Sequence, residues 1–168
     1  MKILLQSLKN DSMFETVPEF LNFMSDVEYV PFTRLMNPLE VILTKQGSCH
    51  DQVMLEMKKL PEMGLSPKAK FIIAVDAYGQ GLETHSFVYY QDGDDYYWFE
   101  NAWEDQKGLH KFSDYDEMID AVMFAFGQRT DYDKLYIADF MPEEHTIGED
   151  LDTLVDVCMN SAEEYTVD

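Results

Sequence analysis

The stretch THSFVYYQDGDDYYWFENAW, residues 84–103, decides how this chain is read. Two runs rich in Val, Tyr, Phe and Trp flank a polar QDGDD segment. Such residues fit a pleated, half-buried surface, and Asp-Gly is a favoured hairpin centre. The spacing predicts antiparallel strands over 84–90 and 96–103. Register then decides which side chains share a face. A two-residue turn at Asp92-Gly93 pairs Gln91 with Asp94 and sets His85 opposite Glu100. A four-residue loop over 92–95 sets Phe87 opposite Glu100 and keeps Glu100 on the His85 face, diagonally. Only an odd loop or a bulge turns Asn101 to that face. Both even registers favour Glu100, with Asn101 as the alternative, as the partner of a histidine inside an otherwise apolar strand.

The rest of the chain is arranged around this hairpin. KFIIAVDAY (70–78) reads as a strand, GQGLE (79–83) as a glycine-bearing loop and KLYIADF (134–140) as a last strand. AYGQGLE (77–83) either rims a cleft before His85 or is a plain loop. Helical spacing follows Pro18 over 18–29, and 38–44 is a short helix or a turn. Residues 49–60 form a helix with Val53, Met54, Met57 and Leu60 on one side, stopped by Pro61 and Gly64. Residues 113–127 form another, capped by Ser113 with Asp116 or Glu117 in its first turn. Helices first, then hairpins with one more helix, indicate an α+β fold with helices packed on an antiparallel sheet. The expected domain covers 1–141. Residues 142–168 form an acidic extension without Lys or Arg, in which LDTLVDVCMN suits an amphipathic helix and the last residues fray.

At 46% hydrophobic content, 168 residues suffice for one domain with a real core. A formal charge of −21 repels nucleic acid and anionic membranes, whose binding needs Lys and Arg. The apolar run at the N-terminus is broken by Gln6 and Lys9, too short for a signal-peptide core. No stretch approaches the roughly 18 apolar residues of a membrane span. The expected location is cytoplasmic, and oligomeric state is left open. Cys49 and Cys158 form no CxxC pair or metal-ligand cluster, so neither metal nor cofactor is expected. DGDD lacks the later ligands of a calcium loop.

Cys49 carries the chemical interest. It follows Gln46-Gly47-Ser48 and opens the 49–60 helix. The partial positive charge and unpaired N–H groups of a helix start both favour a thiolate. The Cys49 N–H is also placed to hold an oxyanion. A thiol nucleophile needs a general base, for which His85 is the candidate, and a group orienting that base, for which Glu100 is the candidate. Asp51 favours the helix start. His50 is either a site neighbour or a helix-start side chain. His110 and His145 show no ligand-like partners.

Gly47-x-Cys49-x-Asp51, then Leu60 and Met63-Gly64-Leu65, then His85-Ser86-Phe87-Val88 and a strand ending in an acid resemble the transglutaminase-like superfamily over residues 45–103. Members of that family are similar to papain in active-site architecture. YYWFENAWEDQKGLHKF (96–112) also resembles uncharacterised bacterial transglutaminase-like proteins. The resemblance implies a papain-like core with its catalytic cysteine at a helix N-terminus and a Cys49–His85–Glu100 triad. It implies a hydrolase or acyltransferase acting on peptide or protein amides through an acyl-thioester. Water as acceptor makes a protease or amidase; an amine makes a transamidase. The chain departs from the family in having Glu for the usual Asp, no proline after that acid, and Lys58-Lys59 where an arginine is common. Gln46 resembles the papain oxyanion glutamine but lies closer to the cysteine. The alternative expectation is a catalytically inactive, regulatory domain of this fold that binds a basic protein partner.

Overall fold

The computed structural model describes residues 13–76, 82–128 and 134–166. Their order is α1 (Val17–Ser25), β1 (Glu28–Tyr29), α2 (Pro38–Thr44), β2 (Gln46–Gly47), α3 (Cys49–Lys59), β3 (Lys68–Val75), β4 (Leu82–Asp92), β5 (Asp95–Glu100), β6 (Gly108–Phe112), α4 (Tyr115–Gly127), β7 (Lys134–Phe140), α5 (Leu151–Met159) and β8 (Glu163–Tyr165). The fold is α+β. A six-stranded antiparallel sheet has the order β6-β5-β4-β3-β7-β8, and β1 and β2 form a small parallel pair.

Caps set the helix starts. Thr16 caps α1 and accepts from the Glu19 N–H, with proline in the first turn. Asn37 caps α2 in the same way. The cap of α4 is Asp114 rather than Ser113. The Asp114 carboxylate reaches both the Asp116 and Glu117 amides, while the Ser113 hydroxyl bonds the Glu117 side chain.

The hairpin settles the register. Pairing runs from Asp92↔Asp95 to Val88↔Phe99 around a Gly93-Asp94 turn. This is the diagonal register, reached by a two-residue turn one position later than Asp92-Gly93. Gly93 supplies the positive φ (62°) that the first central position of a tight hairpin requires.

β3, between β4 and β7, is buried on both faces, with Phe71, Ile72, Ile73 and Ala74 at 0–1% exposure. Each large side chain so buried contributes about 1.5–3 kcal/mol. On one face lie α1, α2, α3 and α5, packed on Phe71, Ile73, Val88, Phe99 and Phe140. On the other, Met118, Ile119, Val122, Met123 and Phe126 of α4 pack on Ile72, Phe87, Tyr89 and Trp98.

Three strand expectations change. The strand expected over 96–103 ends at Glu100, because Asn101 turns to another partner. β6 follows, unheralded by any long apolar run. β7 is not the last strand: Glu163–Tyr165, expected to fray, pairs with Leu135–Ile137. Its acidic, nearly apolar-free sequence suits an edge strand, where charge discourages further pairing. The tail is built into the molecule, with Leu154 and Cys158 in the main core. Most of the glycine-bearing loop, 77–81, lies outside the described residues. Among the described residues no helix is long and apolar enough to cross a membrane.

Candidate active site

Ser48 and Asp51 make the start of α3. The Ser48 hydroxyl accepts from the Asp51 N–H at 3.3 Å, and Asp51 Oδ2 accepts from the Ser48 N–H at 2.8 Å. This reciprocal capping box makes Cys49 the first helical residue. Gly47 permits the close approach: a Cβ there would lie 3.1 Å from the Asp51 Cβ.

The apolar spacing of 49–60 predicts a one-sided helix. In the structure α3 buries His50, Asp51, Gln52 and Glu56 as well. Internal partners allow most of this. Gln52 Nε2 donates to the Gly47 carbonyl at 2.9 Å, and Gln52 Oε1 accepts from Asn101 Nδ2 at 2.7 Å. Asn101 thus ties the end of β5 to the approach of Cys49 and does not partner His85.

His85 lies where β4 outruns β5. Beyond Val88↔Phe99 the β4–β5 ladder stops, while β4 continues back to Leu82. There the His85 ring lies near enough to Cys49 to act on its thiol electrostatically. His85 Nε2 meets Glu100 Oε2 at 2.9 Å. Trp98 Nε1 donates to the same carboxylate oxygen at 3.1 Å, and the Trp103 N–H donates to Oε1 at 3.2 Å. The His85 ring stacks on Phe126 and meets Trp103 edge-on, centroids 6.2 and 5.4 Å apart. Cys49, His85 and Glu100 are 6%, 4% and 2% exposed, so a reagent must pass the groups that cover them. A groove of about 800 Å³, lined by Met57, Tyr90, Tyr96 and Phe140, opens at the other end of β4 and does not reach Cys49.

Burial pushes the Cys49 thiol up; His50, then His85, push it down further, and it ends well below its ordinary value. Burial lowers His85, but the Glu100 carboxylate and hydrogen bonds to Cys49 and Glu100 raise it to about 10. Each group thus favours the charged form of the other, thiolate beside imidazolium. The two histidines differ in geometry. Both His50 nitrogens lie 3.7 Å from Cys49 Sγ, but Nδ1 is engaged by Ser86 Oγ at 2.8 Å and Nε2 by Thr84 Oγ1 at 3.1 Å. His50 is held by two hydroxyls, whereas His85 is oriented by a carboxylate.

Gln46 is exposed on β2 and bonds Glu28, so it offers nothing to Cys49. His110 stacks on Trp98 at 4.5 Å and bonds the Gln106 carbonyl. His145 has partners that its sequence neighbours did not suggest. Its Nδ1 lies 2.6 Å from Glu149 Oε1, and its Nε2 lies 3.8 Å from Cys158 Sγ. This second cysteine–histidine–glutamate chain has the opposite electrostatics. Cys158 sits in the last turn of α5, the negative end of a helix. Burial, Glu149 and Glu144 push its thiol up to about 12. Among the described residues no group of three or more His, Cys, Asp or Glu is placed to hold a metal ion.

Reading the sequence missed Gln52 and Glu56, although their spacing puts them on the Cys49 face of a helix. Glu56 is 2% exposed. Burial first, then Glu100 and Cys49, raise its carboxyl well above the usual range, against a lowering by His85. Glu56 thus holds its proton to higher pH in the folded chain than in the unfolded chain, where its ordinary pKa is about 4.3. Folded protein then binds more protons, so this group lowers stability as pH rises. Glu56→Gln is expected to raise the urea midpoint at neutral pH and leave it nearly unchanged near pH ~4. A midpoint at neutral pH equal to or below that of the wild type would contradict a protonated Glu56. No protein-family model matches the chain, and no curated protein matches it.

Proposed function

We propose that this protein is a cysteine-dependent acyl-transfer enzyme of transglutaminase-like, papain-like architecture that acts on peptide or protein amides. The observation that carries the reading is the 2.9 Å His85–Glu100 contact beside a helix-start thiol held well below its ordinary pKa. Cys49 thiolate attacks the amide carbonyl carbon, and the carbonyl electrons move to oxygen. The Cys49 N–H, at a helix position with no intrahelical acceptor, faces that developing charge. His85 gives its Nδ1 proton to the leaving amine as the C–N bond breaks and an acyl-thioester forms. Water or a second amine then attacks, His85 takes its proton, and the thiolate leaves. Glu100 holds the imidazole and stabilises its charged form throughout. Reduced, free Cys49 and Cys158 suit a cytoplasmic setting.

The test is turnover of an amide library with Cys49→Ala as control. Cleavage or amine exchange that vanishes in Cys49→Ala supports the reading. A library left untouched, with Cys49 reacting as an ordinary thiol, favours the inactive binding domain with a basic partner.

A further inference from the structure

The acidic segment after β7 reaches the base of the candidate site through hydrogen bonds. The Gly148 N–H donates to the Leu35 carbonyl at 2.7 Å, and the Leu35 N–H donates to the Glu149 carbonyl at 2.9 Å. This two-bond bridge holds Leu35, which is 0% exposed, against the turn. The next residue looks the other way: the Met36 N–H donates to Asp51 Oδ1 at 2.8 Å. Asp51, at 2% exposure, uses its other oxygen for the Ser48 N–H and hydroxyl, at 2.8 and 2.7 Å. Ser48 is the residue before Cys49. One continuous chain of bonds therefore runs from the tail to the helix start that carries the thiol.

The turn is held as firmly as the cap. Glu149 Oε1 meets His145 Nδ1 at 2.6 Å, and Oε2 accepts from the Thr146 N–H at 3.3 Å. The His145 ring stacks on Phe140 at 4.7 Å, which anchors the turn to the sheet. Gly148 has φ of +91°, a left-handed conformation that side chains rarely adopt, with open space around its Cα.

We propose that the 145–149 turn is a positioning element for Cys49: it holds Leu35-Met36 so that the Met36 amide pins Asp51, and Asp51 fixes the first turn of α3. The inference rests on the reading of Cys49 as a nucleophile. It assigns the tail a place inside the site's support. Asp51, Met36 and Gly148 touch no reacting atom and act through Ser48.

The test compares wild type, Gly148→Ala and Val155→Ala. Alanine at Gly148 meets no atom, so it acts on the backbone alone. Val155→Ala loosens α5 packing without touching the bridge. For Gly148→Ala we expect Cys49 alkylation by iodoacetamide to slow about tenfold near pH ~6 and to match wild type at high pH. Amide exchange at Met36 and Ser48 is expected to speed up. Val155→Ala should lower the melting temperature and leave both readouts in place. A Gly148→Ala profile that overlays wild type, or an equal shift in Val155→Ala, overturns the inference. A wild type that reacts like a free thiol overturns the nucleophile reading instead. In that case unchanged Met36 and Ser48 exchange in Gly148→Ala still refutes the positioning chain, and faster exchange still supports it.

Discussion

At about pH 6 iodoacetamide is expected to alkylate Cys49 well above the rate of a free thiol, and His85→Ala is expected to slow that reaction by roughly tenfold or more. A thiol with the free pKa of about 8.5 is only about 0.3% thiolate at that pH. The His50 and His85 imidazoles hold Cys49 well below its ordinary value despite burial. His85→Ala removes one of these two partners and leaves the desolvation, so the thiol should rise toward the free value. A less basic thiolate is also a weaker nucleophile, which trims the difference without reversing it. His50→Gln separates the two histidines. Glutamine can keep hydrogen bonds to Ser86 and Thr84 but removes a ring that lowers the Cys49 thiol, so alkylation should slow while amide turnover persists. Cys158 is an internal control, since a thiol raised to about 12 should not react below about pH 8. Equal loss of amide turnover in His50→Gln and His85→Ala would move the role of base away from His85.

The second large effect is expected at Glu100. Its carboxylate takes bonds from His85 Nε2, Trp98 Nε1 and the Trp103 N–H, all in the interior. Glu100→Ala strands those donors and an imidazolium. The expected cost is about 3–5 kcal/mol, read as a lower urea midpoint. Glu100→Gln keeps the shape but turns an amide N–H₂ toward one of the donors. It should cost about 1–3 kcal/mol. It should also lower turnover by roughly 10²–10⁴ through loss of imidazole orientation and charge, the range seen when a triad carboxylate is neutralised. Glu100→Asp bears on the departure from the family pattern. One residue past Val88↔Phe99, Glu100 lies beside Phe87, two residues from His85 along β4. Diagonal neighbours on a sheet face are roughly 7–8 Å apart, a span that the longer acid bridges. Aspartate draws the carboxylate back by about 1.5 Å. It should behave like Glu100→Gln in turnover. Full turnover in Glu100→Asp would show that side-chain length is immaterial there.

The hairpin explains how much of the site was legible in sequence. Side-chain alternation in strands is strict, so two even registers favoured Glu100 on the His85 face and kept Asn101 as the alternative for an odd loop or bulge. The thiol at the helix start and Asp51 in its first turn followed from local chemistry, while the Ser48 side of the capping box was not read. Longer-range facts were not readable. Nothing near Asn101 points to Gln52, and nothing in the tail points to Leu35, because both bonds are set by how distant elements pack. Edge strands β6 and β8 carry little apolar signal: their partners are supplied by the sheet. α3 read as amphipathic because periodicity reports hydrophobicity, whereas its polar side is buried by partners supplied from β2, β4 and the Asn101 loop. Glu56, buried on that side near Glu100 and Cys49, has its carboxyl raised as a consequence.

Intact-protein mass spectrometry after exposure to a small activated acyl ester at neutral pH tests the central claim most directly. Our account expects one acyl group per chain, mapped to Cys49, released by hydroxylamine, and lost in both Cys49→Ala and His85→Ala. An unmodified chain, or an acyl group carried on Cys158 or on lysine while Cys49 stays free, would contradict it.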